Sequence, residues 1–150
     1  MGVSEKVEIR EDSKKGVYLE DFLTVRVKNL EEMMDTYQRG ISKRTIGQTD
    51  MNNESSRSHC IFIINIEQTC AKGKNESRFS KITLIDLAGA EKMTSSNPLV
   101  ARETQFINKS LSSLVDVFTA LKEKKEHIPY RNSKLTHLLK DSLTDKVILF

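Results

Sequence analysis

Apolar positions divide the chain into strand-length and helix-length stretches. Near the N-terminus Val7–Ile9 and Val17–Leu19 read as short strands bracketing a polar turn, Glu11–Gly16. Thr24-Val25-Arg26-Val27 alternates polar and apolar residues and extends the strand pattern. Leu30, Met33, Met34 and Tyr37 then recur at helical spacing. Asn29 before them suits an N-cap, Glu32 three residues later a capping-box partner, and Gly40 a helix stop. The apolar run Ile61-Phe62-Ile63-Ile64, continued by Ile66, predicts a buried strand over Cys60–Gln68. A polar turn around Gly73 leads into a second strand, Arg78–Ile85.

Asn97-Pro98 marks the start of a long helix, because the missing proline N–H costs nothing in a first turn. Ile107, Leu111, Leu114, Phe118 and Leu121, spaced 4-3-4-3, give that helix one apolar face, too short for a coiled-coil seam. Pro129 interrupts the pattern, and Leu135, Leu138, Leu139 and Leu143 predict a shorter amphipathic helix. Val147–Phe150 reads as a terminal strand. Strands and helices in this order predict an α/β layer architecture with no internal repeat. An apolar final tetrapeptide predicts that the chain stops inside a larger fold.

Composition agrees with one globular domain: 150 residues, 37% hydrophobic and 30% charged. No apolar run of about 18 residues is present, so no segment is expected to span a membrane. The N-terminus also lacks the apolar core of a signal peptide. Cys60 and Cys70 follow neither a metal-ligand nor a disulfide-framework spacing, which favours reduced intracellular thiols. The net charge of +3 says little, but its distribution says more. Between Leu121 and Lys140, six Lys/Arg stand against two acids, a local +4 suited to an acidic protein surface or a phosphate backbone.

Candidate chemistry concentrates in two segments. Asn52-Asn53-Glu54-Ser55-Ser56-Arg57-Ser58-His59 packs hydroxyls, an Arg and a His before one apolar strand. Leu84-Ile85-Asp86-Leu87-Ala88-Gly89-Ala90-Glu91 ends the next strand with a carboxylate, a Gly and a second carboxylate. Hydroxyls and a strand-end carboxylate can hold a magnesium ion, and a following Gly leaves backbone N–H groups open to phosphate. Taken alone, the serines also suit a capped loop with no ligand, and the basic patch a solvated helix end. His59 reads as a structural residue bonded near the strand start, and three scattered His make no metal site.

These segments, followed by Asn108-Lys109-Ser110-Leu111 and by His127-Ile128-Pro129-Tyr130-Arg131-Asn132-Ser133-Lys134-Leu135-Thr136, resemble the kinesin motor domain in order and approximate spacing. The opening, Arg10-Glu11-Asp12 through Gly16-Val17-Tyr18, is similar to the strand and loop before that family's third helix. The resemblance covers nearly the whole chain. It implies residues 1–150 are a partial motor domain truncated at both ends, a fragment of a three-layer P-loop NTPase fold with a central mixed sheet. It further implies ATP and Mg²⁺ as cofactors of an intact domain, tubulin and microtubules as partners, a cytoplasmic, cytoskeletal location, and a coiled coil in the parent protein.

By the same resemblance, Ser56 ligates Mg²⁺ and Ser55 lies beside the γ-phosphate and the attacking water, in a switch I that Asn52 helps to order. Asp86 matches the switch II carboxylate that holds the metal through water, and Gly89 the residue whose N–H senses the γ-phosphate. Arg57 and Glu91 match the ion pair that bridges the two switches. Lys122, Lys124, Lys125, Tyr130, Arg131, Lys134, His137 and Lys140 resemble the tubulin contacts, and the helix from about Leu99 to Leu121 resembles the relay between the two faces.

The sequence also departs from the family pattern. Gly-x-x-x-x-Gly-Lys-Ser/Thr, whose amides cradle the phosphates, is absent: only Gly73 precedes a Lys, and Asn75 follows. The chain alone is therefore expected neither to bind ATP tightly nor to hydrolyse it. Ala90 stands where the family usually has Ser, His137 replaces a usual Arg, and Leu143-Thr144-Asp145-Lys146 lacks the usual Gly-Gly turn. The loop Lys92–Asn97 lacks the glycines often seen there. Three function classes follow: part of an ATP-driven microtubule motor, a non-catalytic kinesin-like microtubule-binding module, and nucleic-acid binding. The last is disfavoured, since Tyr130 is the sole aromatic in the basic patch and offers no stacking platform.

Overall fold

The computed structural model describes residues 7–13, 16–20, 22–46, 58–69, 77–90 and 98–144. Its first element is an antiparallel hairpin of β1 (Glu8–Asp12) and β2 (Gly16–Glu20), registered from Glu8 opposite Glu20 to Asp12 opposite Gly16. The strands extend into the turn expected at Glu11–Gly16. Arg10 bridges the two strands by its ion pair with Glu20 (2.7 Å) and also pairs with Glu8 (2.8 Å) on its own strand. Thr24–Val27 does not extend a strand. Residues 22–27 are irregular and largely exposed, and no described strand pairs with them.

Helix α1 (Leu30–Ile46) starts as its cap residues dictate. Glu32 N–H donates to Asn29 Oδ1 at 2.9 Å, and Lys28 N–H donates to the Glu32 carboxylate at 2.8 Å. Gly40 does not end the helix, which runs on to Ile46. An interior glycine costs only about 1 kcal/mol, which the i,i+4 pair Asp35–Arg39 at 2.8 Å offsets in part. Tyr37 meets Phe62 edge-to-face, with ring centroids 5.3 Å apart, which sets α1 against the next strand.

β3 (Cys60–Thr69) and β4 (Ser77–Asp86) form a second antiparallel hairpin, registered from Cys60 opposite Asp86 to Thr69 opposite Ser77. The expected buried strands are only half-buried at the start of β3 and mostly exposed along β4. Phe79 is 75% exposed and Leu84 55%. The cause is topological, because among the described residues β3 and β4 pair only with each other. An open groove of about 530 Å³ runs between β2, residues 22–27, α1 and β3, with largely aliphatic walls.

Helix α2 (Pro98–Lys122) begins at the expected proline. Its deepest line is Thr104, Ile107, Ser113, Val117 and Ala120, while Leu111, Leu114, Phe118 and Leu121 are half-buried on its flank. The buried stripe is thus rotated from the one that size alone suggests, because the small Ser113 and Ala120 permit closer approach there. The second expected helix is shorter: α3 spans Lys134–Leu138, and hydrogen-bonded turns carry the chain on to Leu143. Val117 packs with Leu135, Leu139 and Leu143, flanked by Ile61, Ile128 and Tyr130. Val147–Phe150 lies outside the described residues.

Asp141 joins three parts of this arrangement. Its carboxylate accepts the Val17 N–H at 2.8 Å and pairs with Lys81 at 3.2 Å, tying β2 and β4 to the end of the chain's core segment. Gly16 permits the approach: its φ is +70°, and a Cβ there would meet Asp141 Oδ2 at 2.5 Å. Gly16→Ala is therefore expected to lower stability by at least about 1 kcal/mol, from backbone conformation and contact together. A urea midpoint unchanged from wild type would contradict this.

Candidate functional site

Of the residues expected at a nucleotide site, Asn52, Ser55, Ser56, Arg57 and Glu91 lie outside the described residues. Asp86 and Gly89 are described. Asp86 is the last residue of β4, exposed and opposite Cys60, the first residue of β3. Gly89 is exposed three residues later, and no described residue other than its chain neighbours lies within 4 Å of where its Cβ would stand. Between them Ala88 is buried. Among the described residues no cluster of three His, Cys, Asp or Glu could hold a metal ion, so Asp86 would act with ligands from elsewhere.

His59 organises this end of the hairpin. The Ala88 N–H donates to its Nδ1 at 3.0 Å, and its Nε2 lies 2.6 Å from Ser110 Oγ in the middle of α2. Burial lowers its pKa from the ordinary histidine value, which favours the neutral ring. The expectation of a structural His59 bonded near the strand start matches this geometry. Its two partners were not legible, because they come from separate elements.

The basic region lies toward the C-terminal end of α2. There Lys125 N–H donates to Ala120 O at 2.9 Å and Lys124 N–H to Leu121 O at 3.1 Å, the bonding of a Schellman cap. The left-handed position of that cap is filled by Lys124, with φ +52°, where glycine is usual. Lys125 pairs with Glu123 at 2.7 Å, and Lys122, Lys124 and Lys134 are exposed. A 3-10 turn, Tyr130–Asn132, follows. α3 is then capped by Ser133 and Thr136, whose side chains each bond the other's backbone N–H. Thr136 is fully buried, and its hydroxyl also bonds Tyr130 O at 2.7 Å.

Tyr130 is held inward. It packs on the Val117 cluster, its hydroxyl donates to Leu143 O, and Lys140 Nζ lies 5.9 Å from its ring centroid. Three of the expected tubulin contacts converge on one acid from the first hairpin. Arg131 donates to Glu11 at 3.3 Å, Lys140 donates to the other carboxylate oxygen, and His137 Nε2 is 3.9 Å away. Sequence reasoning missed Glu11 and placed it in a turn. The strand alternation that points it at α3 is the signal that could have found it.

The Glu11 carboxyl sits below the usual carboxylate range because Lys140, and then Arg131, hydrogen-bond to its charged form. A depressed carboxyl pKa adds stability above its unfolded value, and that stability is lost as pH falls through the folded value. The stability difference between wild type and Glu11→Gln should therefore be largest near neutrality. It should shrink as pH falls through and below the ordinary glutamate range, as read from urea midpoints at stepped pH. A gap independent of pH would contradict this ion cluster.

Comparison with known proteins agrees with the arrangement. The kinesin motor domain family matches residues 2–149. The kinesin-like protein Klp68D of Drosophila melanogaster is 44% identical over 142 residues, covering 93% of this chain and 18% of that protein. Kinesin-like protein KIN-14E of Oryza sativa subsp. japonica is 41% identical over 151 residues, covering 98% of this chain and 14% of its own length. Among solved structures, a fast kinesin superposes with a TM-score of 0.78 at 38% identity, covering 91% of this chain and 39% of that one. The motor domain of Kar3 from Saccharomyces cerevisiae gives 0.74 at 42% identity, covering 95% and 45%. The chain thus spans less than half of both of these motor structures. Its α/β hairpins and helices are a fragment of the P-loop NTPase fold of those motors, and the chain belongs to the kinesin motor domain family.

Proposed function

We propose that this chain supplies the nucleotide-sensing switches and the tubulin-binding face of an ATP-dependent microtubule motor. The observation that carries the reading is the meeting of three elements. The residue closing the Asn52–His59 segment bonds the backbone beside Gly89 and reaches the middle of α2, whose far end leads into the basic region. A motor needs such a path from its phosphate side to its track.

In this reading the hydroxyls of Ser55 and Ser56 and the carboxylate of Asp86 face a bound Mg²⁺–ATP, with Asn52 ordering the loop. These are hard oxygen donors, the type Mg²⁺ prefers. The Gly89 N–H would donate to the terminal phosphate, and among the described residues nothing crowds that position. Arg57 and Glu91 pair when both loops close around the nucleotide, and loss of phosphate releases them. Bound Mg²⁺ supplies neutralisation of charge on the transferring phosphate. Lys122, Lys124, Lys125 and Lys134 meet the acidic tubulin surface, while Arg131, His137 and Lys140 exchange Glu11 for it.

A second reading is a non-catalytic kinesin-like microtubule-binding module that keeps the basic face without turnover. Both readings predict binding without turnover for the chain by itself. It should co-sediment with microtubules in low salt, lose that binding as salt is raised, and resist competition by duplex DNA. Lys122→Glu combined with Lys134→Glu should weaken binding on the order of tenfold. DNA competing as well as tubulin would overturn the tubulin assignment. The chain alone should also show no microtubule-stimulated ATPase, and detectable turnover would refute that. ATPase in a longer protein joining this chain to a phosphate-binding loop, abolished by Asp86→Ala, separates the motor from the module.

A further inference from the structure

Three hydrogen bonds run head to tail through the imidazole of His59. The Ala88 N–H donates to Nδ1 at 3.0 Å, Nε2 lies 2.6 Å from Ser110 Oγ, and the Ser110 hydroxyl donates to Ile107 O at 2.7 Å. Each link fixes the next. A serine hydroxyl carries one proton, so with that proton on Ile107 O its oxygen can only accept. Nε2 must then carry the ring hydrogen. Nδ1 faces an N–H and must be bare. Constraints from the two sides of the ring select the same neutral tautomer, so the chain of donors has one direction and no conflict.

We propose that His59 is a positioning residue that couples the Leu87–Ala90 segment to helix α2 through Ser110. Ala88 immediately precedes Gly89. A rotation of that peptide moves the Ala88 N–H, and the ring can follow only by lengthening or releasing its bond to Ser110. Because α2 is continuous from Pro98 to Lys122, a change at Ser110 is carried along a rigid rod toward the basic region. The functional meaning rests on the switch reading proposed above. The coupling itself does not, since it consists of contacts within this chain.

The test uses the ¹⁵N-labelled chain without nucleotide. A long-range ¹⁵N–¹H correlation spectrum should show His59 protonated at Nε2 and bare at Nδ1, and the opposite tautomer would overturn the proposal. Ser110→Ala removes the acceptor without touching Ala88. It should mix the two tautomers and raise amide exchange at Ala88 by roughly threefold to tenfold, the scale of one weakened hydrogen bond. His59→Asn keeps an oxygen acceptor for the Ala88 N–H but does not reach Ser110. Ala88 should then remain protected, and adding Ser110→Ala should change its exchange no further. A residue that merely fills space would give independent effects instead. A wild-type tautomer and unchanged Ala88 exchange in Ser110→Ala would overturn the coupling, as would a Ser110→Ala effect that persists undiminished beside His59→Asn. The Ser110→Ala arm decides alone if the Asn variant does not fold. Nucleotide affinity enters none of these readouts, so a failure of the switch reading is seen separately.

Discussion

The packing of Val117 against Leu135, Leu139 and Leu143 is the constraint on which the other contacts depend. α2 is a long rod with a narrow buried stripe, and this cluster fixes where the C-terminal segment crosses it. Burying each such side chain contributes about 1.5–3 kcal/mol, whereas an exposed pair such as Lys125–Glu123 contributes about 0–1 kcal/mol. Packing therefore sets the position of α3, and the ion pairs refine it. Once α3 is in place, Glu11 and Asp141 have fixed partners and the first hairpin has a docking site. Tyr130 is held by the same cluster, so the loop before α3 takes its shape from the core beneath it.

The second hairpin differs in kind. Its strands are well registered, yet Phe79, Ile82, Leu84 and Ile85 remain open to solvent. A two-stranded ribbon is marginal in water, and apolar residues exposed on both of its faces, Ile82 and Leu84 on one and Phe79 and Ile85 on the other, suit a ribbon covered on both sides within a wider sheet. The motor structures that the chain resembles are more than twice as long as the matched region, with 39% and 45% of their length covered. The bonds at His59 matter more in this setting, since they anchor a lightly packed hairpin to the best-packed helix.

Local features were legible in the amino-acid sequence, and long-range ones were not. The Asn29–Glu32 cap, the Pro98 start and the two apolar strands were readable because each depends on residues a few positions apart. Gly40 misled because a helix stop is a preference of about 1 kcal/mol that neighbouring contacts override. The apolar face of α2 was legible in part: Ile107 is buried and Leu114, Phe118 and Leu121 pack against the core, while Ser113 and Ala120, weak in a hydrophobicity pattern, lie deeper. Glu11 lies 120 positions from Arg131, and Asp141 lies 124 from Val17, so neither pairing leaves a local trace. At the candidate site, Asp86 and Gly89 were legible as a strand end followed by an open turn. His59 was recognisable only as structural, because its role depends on two elements that meet in space.

Lys124 closes α2 in a left-handed conformation that a glycine would adopt without strain. A residue chosen for stability alone would not be a lysine, so the position exchanges backbone ease for a positive charge at the rim of the basic face. Natural sequences place such local concessions where function is drawn from them. Consensus-style stabilisation of this helix end with glycine would therefore ease the backbone and remove one positive charge from that face. Among the described residues Lys124 is the one non-glycine position with a positive φ, a place where backbone ease and surface charge pull in opposite directions.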